Sequence, residues 1–348
     1  MKTILTYALG VCAFMNIGCT KPISDNEYAE PKYPVTYEAE VKVLNDNLLL
    51  SCAGSMQLFG DYIVYPAITP DSKGTMQLLS AKDGSLLRSF GYLGRGGNEL
   101  ADYHQFSIDD KGVFYAMDYN HKMVGYDLQA LAGGANDYTV ISKQFDSSQP
   151  TSNQFQIRNE NIIHLEDRLN LRIFITTMEG DTLAKYDQYP KITDRYPFDE
   201  EFTKKYMRHL GYYTVSPDGK RIAQSNGYGM MMEILSVADS GIKSERVRYF
   251  YEPEMKSVRE PEETCVFGTS QIESTDKYIY VMYYKEQCQA LENARPVIGV
   301  FDWEGEEVAC YNLPVQPFTF AVTPDDKRIY CWVYNPEGED YLGYFDVK

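Results

Sequence analysis

The chain has 348 residues, of which 44% are hydrophobic, 30 are tyrosine and 16 are phenylalanine. This composition argues against a disordered chain and favours a strand-rich fold, because aromatic side chains pack well on pleated surfaces. The formal net charge of −17 repels phosphate backbones and anionic lipid headgroups. It therefore argues against a nucleic-acid-binding protein and against a basic membrane-binding patch.

The N-terminal residues have the pattern of an export signal. Lys2 is followed by an apolar run over residues 4–15, which is shorter than the roughly 20 residues of a membrane-spanning helix. Gly18 then precedes Cys19, an arrangement that resembles a bacterial lipoprotein signal. The resemblance implies that residues 1–18 are removed and that Cys19 is acylated. The alternative is an ordinary signal peptide that is cleaved elsewhere.

The residues after Cys19 predict how the protein is held at the membrane. Thr20, rather than Asp, follows the cysteine, which resembles the pattern of outer-membrane lipoproteins, periplasmic or surface-exposed. Residues 19–37 are polar and contain proline, so we predict a tether. Residues 38–348 then form one domain, which reaches the membrane only through its lipid.

A weak internal repeat runs through the predicted domain. Each unit is a polar turn followed by a short apolar strand, and the interval of about fifty to sixty residues suits four strands with their turns. The units are GDYIVYPAI (60–68), DKGVFYAMD (110–118), NENIIHLED (159–167), DGKRIAQSN (218–226), TDKYIYVMY (275–283) and DDKRIYCWV (325–333). Their central apolar positions are Ile63, Phe114, Ile163, Ile222, Ile279 and Ile329. We therefore predict an all-β, six-bladed β-propeller with four-stranded antiparallel blades.

Turns and chain ends complete this prediction. The Asp83-Gly84 pair suggests a type I′ hairpin turn, which needs a positive φ at both central residues. Similar returns occur at Glu179-Gly180 and Glu304-Gly305. Because a ring of blades needs a latch between the chain ends, we expect residues 39–50 to add the outer strand to the blade that begins near Phe318.

One short helix is predicted as an insertion between the third and fourth blades, over residues 199–211. Asp199 suits an N-cap and Gly211 suits a position just after the last turn. Phe202, Tyr206 and Leu210 fall on one helical face. The helix would therefore pack on the rim of the propeller.

Three segments resemble a known family. SPDGKRIA (216–223) and TPDDKRIY (323–330) are similar to the turn-and-strand unit of TolB-like propellers, and GYLGRGGNEL (91–100) resembles a glycine- and arginine-containing stretch of the six-bladed TolB-like lipoproteins. The resemblance implies a six-bladed propeller at the cell envelope. It implies no reaction and no catalytic residues.

Motifs for catalysis or metal binding are not recognisable. No Gly-Lys-Ser/Thr follows GRGG, so this stretch predicts a glycine-permitted crossing between strands rather than a phosphate loop. The sequence contains no G-x-S-x-G and no H-E-x-x-H, and the four histidines are scattered. We therefore predict no catalytic residue, no metal and no cofactor.

The cysteines leave one question open. Loss of Cys12 and acylation of Cys19 would leave Cys52, Cys265, Cys288, Cys310 and Cys331. These five have no CxxC or zinc-like spacing, and most are expected to be small buried apolar residues. One disulfide among the last four is compatible with export, and the sequence does not select the pair.

The geometry of a propeller directs the search for a ligand site to the crossings between blades. The crossings from each outer strand to the next inner strand share a face with the middle hairpins. Candidate ligand-rim residues on these crossings are Arg95, Asn98, Glu99, His104, Arg208, His209, Arg259 and Glu260. Each is also explained by ordering of its loop or by solvation.

Two functional hypotheses follow. The first is a monomeric binding module at the envelope, whose partner is a protein or a glycan. The alternative is a propeller enzyme, a hydrolase or lyase acting on a sugar or lactone, with its site at the channel mouth. An acid, a base and tyrosines converging in a deep pocket would favour the enzyme.

Overall fold

The computed structural model describes most of the chain between residue 28 and the C-terminus. The described residues are 28–48, 51–52, 55–68, 76–102, 105–146, 154–168, 171–192, 209–254, 263–288, 290, 294–334 and 340–348. Cys19 and almost all of the helix predicted over 199–211 lie outside them. Within these residues the chain forms six β-sheets.

Six antiparallel sheets follow one another along the chain. The N-terminal strands and the first three blades are β1 (Thr36–Glu38), β2 (Lys42–Asn45), β3 (Ser51–Cys52), β4 (Gln57–Phe59), β5 (Tyr62–Ile68), β6 (Met76–Ser80), β7 (Leu86–Phe90), β8 (Gln105–Ile108), β9 (Val113–Met117), β10 (Lys122–Asp127), β11 (Thr139–Gln144), β12 (Gln154–Arg158), β13 (Asn161–Arg168), β14 (Leu171–Thr177) and β15 (Thr182–Tyr186). Blade 1 is β4–β7 with β3 beside β5, blade 2 is β8–β11 and blade 3 is β12–β15.

The last three blades repeat the pattern. Their strands are β16 (Gly211–Val215), β17 (Arg221–Asn226), β18 (Met230–Ala238), β19 (Gly241–Tyr251), β20 (Thr269–Ser274), β21 (Tyr278–Tyr283), β22 (Val297–Asp302), β23 (Glu307–Asn312), β24 (Gln316–Val322), β25 (Arg328–Tyr334) and β26 (Tyr341–Asp346). Blade 4 is β16–β19, blade 5 is β20–β23, and blade 6 contains β24–β26. The inner strands β4, β8, β12, β16, β20 and β24 contact one another in a closed cycle. The predicted six-bladed propeller is therefore confirmed.

The latch between the chain ends is also confirmed. Strand β2 pairs antiparallel with β26, with Lys42 opposite Tyr344 and Val43 opposite Gly343, and so supplies the fourth strand of blade 6. Strand β1, which the sequence did not predict, pairs parallel with β23. Residues within the predicted tether also lie against the propeller, since the amide of Ala29 donates to the carbonyl of Tyr249 at 3.2 Å.

The hydrophobic core is divided into six clusters, one at each interface between neighbouring blades. At the interface of blades 6 and 1, the fully buried Trp332 stacks on Tyr65 with ring centroids 4.6 Å apart. The hydroxyl of Tyr330 donates to the carbonyl of Ala81 at 2.9 Å across the same interface. Both faces of every sheet are therefore covered.

The repeat positions are buried as the sequence predicts, with one change of face. Ile63, Phe114, Ile222, Ile279 and Ile329 each pack toward the preceding blade. In blade 3, Ile162 packs toward blade 2 and Ile163 toward blade 4. The choice of Ile163 as the equivalent position was wrong, because a shift of one residue along a strand moves the side chain to the opposite face.

The turn prediction needs a similar correction. Gly84 has a φ of 70°, but Asp83 is not among the residues with positive φ, so the expected type I′ turn is wrong there. Asn159 and Glu160, with φ of 51° and 61°, form the two-residue turn between β12 and β13 instead. A short helix, α1 (Leu128–Ala132), follows β10, and Asp127 caps it by accepting from the amides of Gln129 and Ala130.

We predict that Trp332→Ala lowers the free energy of unfolding by about 3–5 kcal/mol, because it removes a buried aromatic side chain where the ring closes. The control is Leu183→Ala on the outer strand β15, where the residue is 56% exposed. This control should change stability by no more than about 0.5 kcal/mol. Equilibrium denaturation in urea measures both, and equal small losses would contradict tight packing at the closing interface.

Candidate functional site

One end of the ring collects the crossings between blades and the connections between second and third strands, and we call it the crossover face. Two contacts confirm that these connections share an end. Residues 91–102, between blades 1 and 2, contact Asp118 and Lys122 at the turn between β9 and β10. Residues 265–268, between blades 4 and 5, contact residues 227–229 at the turn between β17 and β18.

In the glycine-rich crossing at residues 91–102, the carboxylate of Glu99 accepts a hydrogen bond from the backbone of the same crossing. The amide of Gly96 donates to Oε2 of Glu99 at 2.6 Å, and the amide of Gly94 donates to the carbonyl of Leu100 at 2.9 Å. A Cβ atom at Gly94 would lie 2.1 Å from Oε2 of Glu99. The glycines therefore make room for an internal anion, which supports a structural role for this segment.

Residues of blade 2 hold the same crossing through hydrogen bonds. The ammonium group of Lys122 donates to the carbonyls of Gly96 at 2.7 Å and Glu99 at 2.6 Å. The hydroxyl of Ser142 donates to the carbonyl of Gly97 at 2.6 Å, and Oδ2 of Asp118 accepts from an amide of the crossing at 3.0 Å. These bonds leave the side chains of Arg95 and Asn98 exposed.

A second ordered element on this face is a small β-ladder formed by residues 227–229, 265–268 and 284–288. The amide of Gly229 donates to the carbonyl of Val266, and the amide of Gly268 donates to that of Gly227, both at 2.9 Å. On the other side, the amides of Phe267 and Cys288 donate to residues 286 and 265. The ladder therefore joins the crossing before β20 to the ends of blades 4 and 5.

Close packing holds this ladder together. A Cβ atom at Gly268 would lie 1.6 Å from the carbonyl oxygen of Gly229, so the two backbones can approach only with glycine there. The ring of Phe267 makes edge contacts with Tyr228 and Tyr284, with centroid distances of 6.2 Å and 5.4 Å. These contacts fix the position of the ladder on the crossover face.

Blade 6 presents an aromatic pair at the same end of the ring. Phe318 lies at an irregularity between Pro317 and Thr319 in the inner strand β24, and Tyr334 ends β25. Their rings are in edge contact with centroids 5.5 Å apart, yet the residues are 49% and 45% exposed. Two large rings thus meet solvent at the mouth of the channel.

Polar side chains of the inner strands form hydrogen bonds with the backbone of adjacent blades. The side chain of Gln271 donates to the carbonyl of Phe320 at 2.7 Å and accepts from its amide at 2.9 Å. Ser107 accepts from the amide of Ile157 at 3.0 Å. Thr319 accepts from the amide of Met56 at 2.9 Å. These side chains connect inner strands of adjacent blades, so they stabilise the ring.

Two ionisable side chains, Glu273 and Arg158, lie toward the opposite end of the channel, because the inner strands run away from the crossover face. Burial raises the pKa of Glu273 to about 7, against the opposing effects of Gln271 and of the Arg158 charge. Burial lowers the pKa of Arg158, whose guanidinium donates to the carbonyls of Ile108 and Ile157 at 2.9 Å and 2.8 Å. Glu273 can exchange a proton near neutral pH.

Two of the histidines lie in packed surroundings. His209 is buried and packs on Tyr189 at a centroid distance of 4.7 Å, and its carbonyl accepts from Gln224. His164 stacks on Phe174 at 4.1 Å, and burial lowers the pKa of its imidazole to about 3. The His164 ring is therefore neutral at physiological pH.

A buried ion pair at the interface of blades 3 and 4 was not anticipated from the sequence. A guanidinium nitrogen of Arg172 lies 2.5 Å from a carboxylate oxygen of Glu233, and both side chains are fully buried. Arg172 also donates to the carbonyl of Gln188 at 2.8 Å and lies 5.0 Å from the centre of the Tyr189 ring. Only the long-range packing of two blades brings these residues together.

The structure thus places some of the predicted rim residues and not others. Arg95, Asn98 and Glu99 share one crossing, whereas His209 is buried among blade side chains. His104, Arg208, Arg259 and Glu260 lie outside the described residues. Among the described residues, no group of three potential metal ligands occurs, and no helix is both long and apolar enough to cross a bilayer.

We predict that Gly94→Ala displaces the Glu99 carboxylate and speeds amide hydrogen exchange across residues 94–100 by about fivefold to tenfold, as expected for loss of one hydrogen bond. Gly97→Ala is the matched control, because no atom lies within 4 Å of its added Cβ. Exchange followed by mass spectrometry should separate the two variants. Identical exchange in both would show that Glu99 does not order the crossing.

Comparisons with known proteins agree with this architecture. The chain is similar in structure to XC5397 from Xanthomonas campestris, a gluconolactonase, with 10% identity, coverage of 89% of this chain and 90% of that chain, and a TM-score of 0.51. It is also similar to U3-55K, with 8% identity, coverage of 89% and 100%, and a TM-score of 0.50. These likenesses concern the fold alone.

No curated protein sequence matches the chain. The profile of a family described as TolB-like 6-blade propeller-like matches residues 34–325, which extend from just before β1 to the turn before β25. The chain therefore belongs to the TolB-like six-bladed propeller family.

Proposed function

We propose that this protein is a lipid-anchored binding module of the cell envelope, which holds a protein partner on its crossover face. The observation that carries the proposal is the exposed pair of Phe318 and Tyr334 at the channel mouth. Aromatic side chains supply large contact areas with few rotatable bonds, and they are enriched at the centres of protein interfaces. Both rings are carried by strands of blade 6.

The elements around this pair support recognition rather than turnover. The crossing at residues 91–102 and the ladder are each fixed by several backbone hydrogen bonds, so little conformational entropy is lost when a partner binds. Polar side chains of the inner strands, including Ser107, Gln271 and Thr319, are engaged with neighbouring blades. This arrangement gives less support to the alternative of a sugar or lactone enzyme, although Glu273 has a pKa suited to proton transfer.

The position of the N-terminal segment is compatible with an anchor. Tyr28 makes an edge contact with Tyr249 on β19, the outer strand of blade 4. Tyr28 is the ninth residue after Cys19, and even a fully extended chain of that length spans only about 30 Å. A lipid on Cys19 would therefore hold the ring close to the membrane by its outer edge and leave the crossover face free. Family membership supports the envelope location.

The anchor is tested by Cys19→Ser. We expect the wild-type chain to incorporate labelled palmitate and to sediment with membranes, whereas the variant should lose both properties because it lacks the thiol that is acylated. Cys310→Ser is the control, since Cys310 is buried within blade 5. Unlabelled wild-type protein, or a labelled Cys19→Ser variant, would disprove the anchor at this residue.

The binding surface is tested by the double variant Phe318→Ser with Tyr334→Ser. We expect it to recover at least about tenfold less of the envelope proteins that the wild type retains after cross-linking and detergent extraction, because interface anchors commonly contribute 2 kcal/mol or more. Leu183→Ser is the matched control, an exposed apolar residue on the outer edge of blade 3.

Three outcomes would contradict the proposal. The double variant could retain as much protein as the wild type, Leu183→Ser could lose as much as the double variant, or the wild type could retain glycan and no protein. Circular dichroism of each variant checks that the blades are intact, since all three side chains are exposed.

A further inference from the structure

Two cysteines face each other on the crossover face. In the ladder, Val266 pairs with Gln287 in an antiparallel bridge, so the next residues outward, Cys265 and Cys288, lie directly opposite. The amide of Cys288 donates to the carbonyl of Cys265 at 2.9 Å. Opposite residues in a hydrogen-bonded antiparallel pair have Cα atoms about 5.5 Å apart, which is within the range that a disulfide spans.

The two thiols differ in burial and in the direction of their pKa shifts. Cys265 is fully buried, whereas Cys288 is half-buried. A hydrogen bond from the Cys265 thiol lowers the pKa of Cys288, and the same bond together with burial raises the pKa of Cys265. Because the thiolate is the nucleophile in disulfide exchange, Cys288 is the more reactive of the two sulfurs.

Cys310 and Cys331, whose thiols are also described, have a different environment. Cys310 packs in the cluster between blades 4 and 5, and Cys331 in the cluster between blades 5 and 6. Burial raises their thiol pKa values to about 11 and about 12, respectively. Neither is opposite another cysteine in the strand pairing, where Cys310 faces Gly299 and Thr36 and Cys331 faces Phe320 and Gly343. They therefore behave as inert apolar residues.

We propose that Cys265 and Cys288 are a redox-active dithiol, which closes into a disulfide across the ladder by exchange with a disulfide-bearing thiol oxidoreductase or a small-molecule disulfide. The Cys288 thiolate attacks one sulfur of the oxidant and expels the other as a thiolate. This leaves Cys288 in a mixed disulfide with the oxidant. Cys265, after losing its proton, then attacks Sγ of Cys288 and expels the sulfur of the oxidant as a thiolate. Two thiols of the chain are oxidised, one disulfide of the oxidant is reduced to two thiols, and no other reactant is needed.

Closure would change a defined part of the crossover face. The new bond would connect the crossing before β20 covalently to the segment after β21. In the dithiol form these two segments are joined by backbone hydrogen bonds. Tyr228 lies close enough for both sulfur groups to influence its pKa. The redox state of the pair would therefore set the rigidity of the ladder. This inference stands independently of the proposed partner and of the lipid anchor.

The test uses the folded full-length protein in detergent, first reduced and freed of reductant, then treated with oxidised glutathione. We expect two thiols per chain to disappear and a peptide containing Cys265 to become linked to one containing Cys288, as read by mass spectrometry without reduction. Before oxidation, Cys288 should react with iodoacetamide faster than Cys265, Cys310 and Cys331. After oxidation, amides of residues 265–268 should exchange more slowly with solvent.

Three variants make the result decisive. Cys310→Ser with Cys331→Ser should still form the bond, Cys265→Ser should instead keep a stable mixed disulfide of Cys288 with glutathione, and Cys288→Ser should lose both products. Retention of both thiols in the folded wild type, a bond between another pair, or closure only after denaturation would overturn the proposal. These readouts require no partner and no acyl chain.

Discussion

Each sheet of this protein has two apolar faces, and a sheet can cover them only by packing against a neighbour on both sides. This requirement divides the core into six clusters, each built from two adjacent blades. An open row of blades would leave two faces in water, at a cost of about 25 cal/mol for each Å² of apolar surface. The ring must therefore close, and β2 closes it by completing blade 6.

Closure also determines where function can reside. Once all sheet faces are buried, the surfaces that can contact a partner lie mainly at the two ends of the ring and along its outer edge. The crossover face carries the longer connections, including residues 91–102 and the ladder. Glu99 and Gly268 show how these connections are ordered, through an internal carboxylate in one case and a close backbone approach in the other.

The sequence predicted features that depend on local chemistry. Polar turns followed by apolar strands identified the second strand of every blade, because a polar turn and a buried apolar strand recur in all six blades. The latch followed from topology. The choice of Ile163 failed because adjacent isoleucines at 162 and 163 make the face of the strand ambiguous without its partner. Helix α1 has only five residues, too few to show a helical period, although Asp127 and Gly133 were available as signals.

Features that depend on distant parts of the chain could not be predicted. The sequence left the cysteine pair open, because Cys265 and Cys288 become neighbours only through the ladder. Arg172 and Glu233 meet only where blades 3 and 4 pack. Among the rim candidates, Arg95, Asn98 and Glu99 lie together because they belong to one continuous segment, whereas the burial of His209 depends on Tyr189 and β17.

Closure of the ring by the N-terminal strand is tested most directly by native-state hydrogen exchange. If β2 is an integral strand of blade 6, its hydrogen-bonded amides within Lys42–Asn45 should exchange only by global unfolding, with the same free energy as the amides of β25. Rapid exchange in β2, alongside full protection of β25 and β26, would show that the chain ends are not joined and would contradict the account.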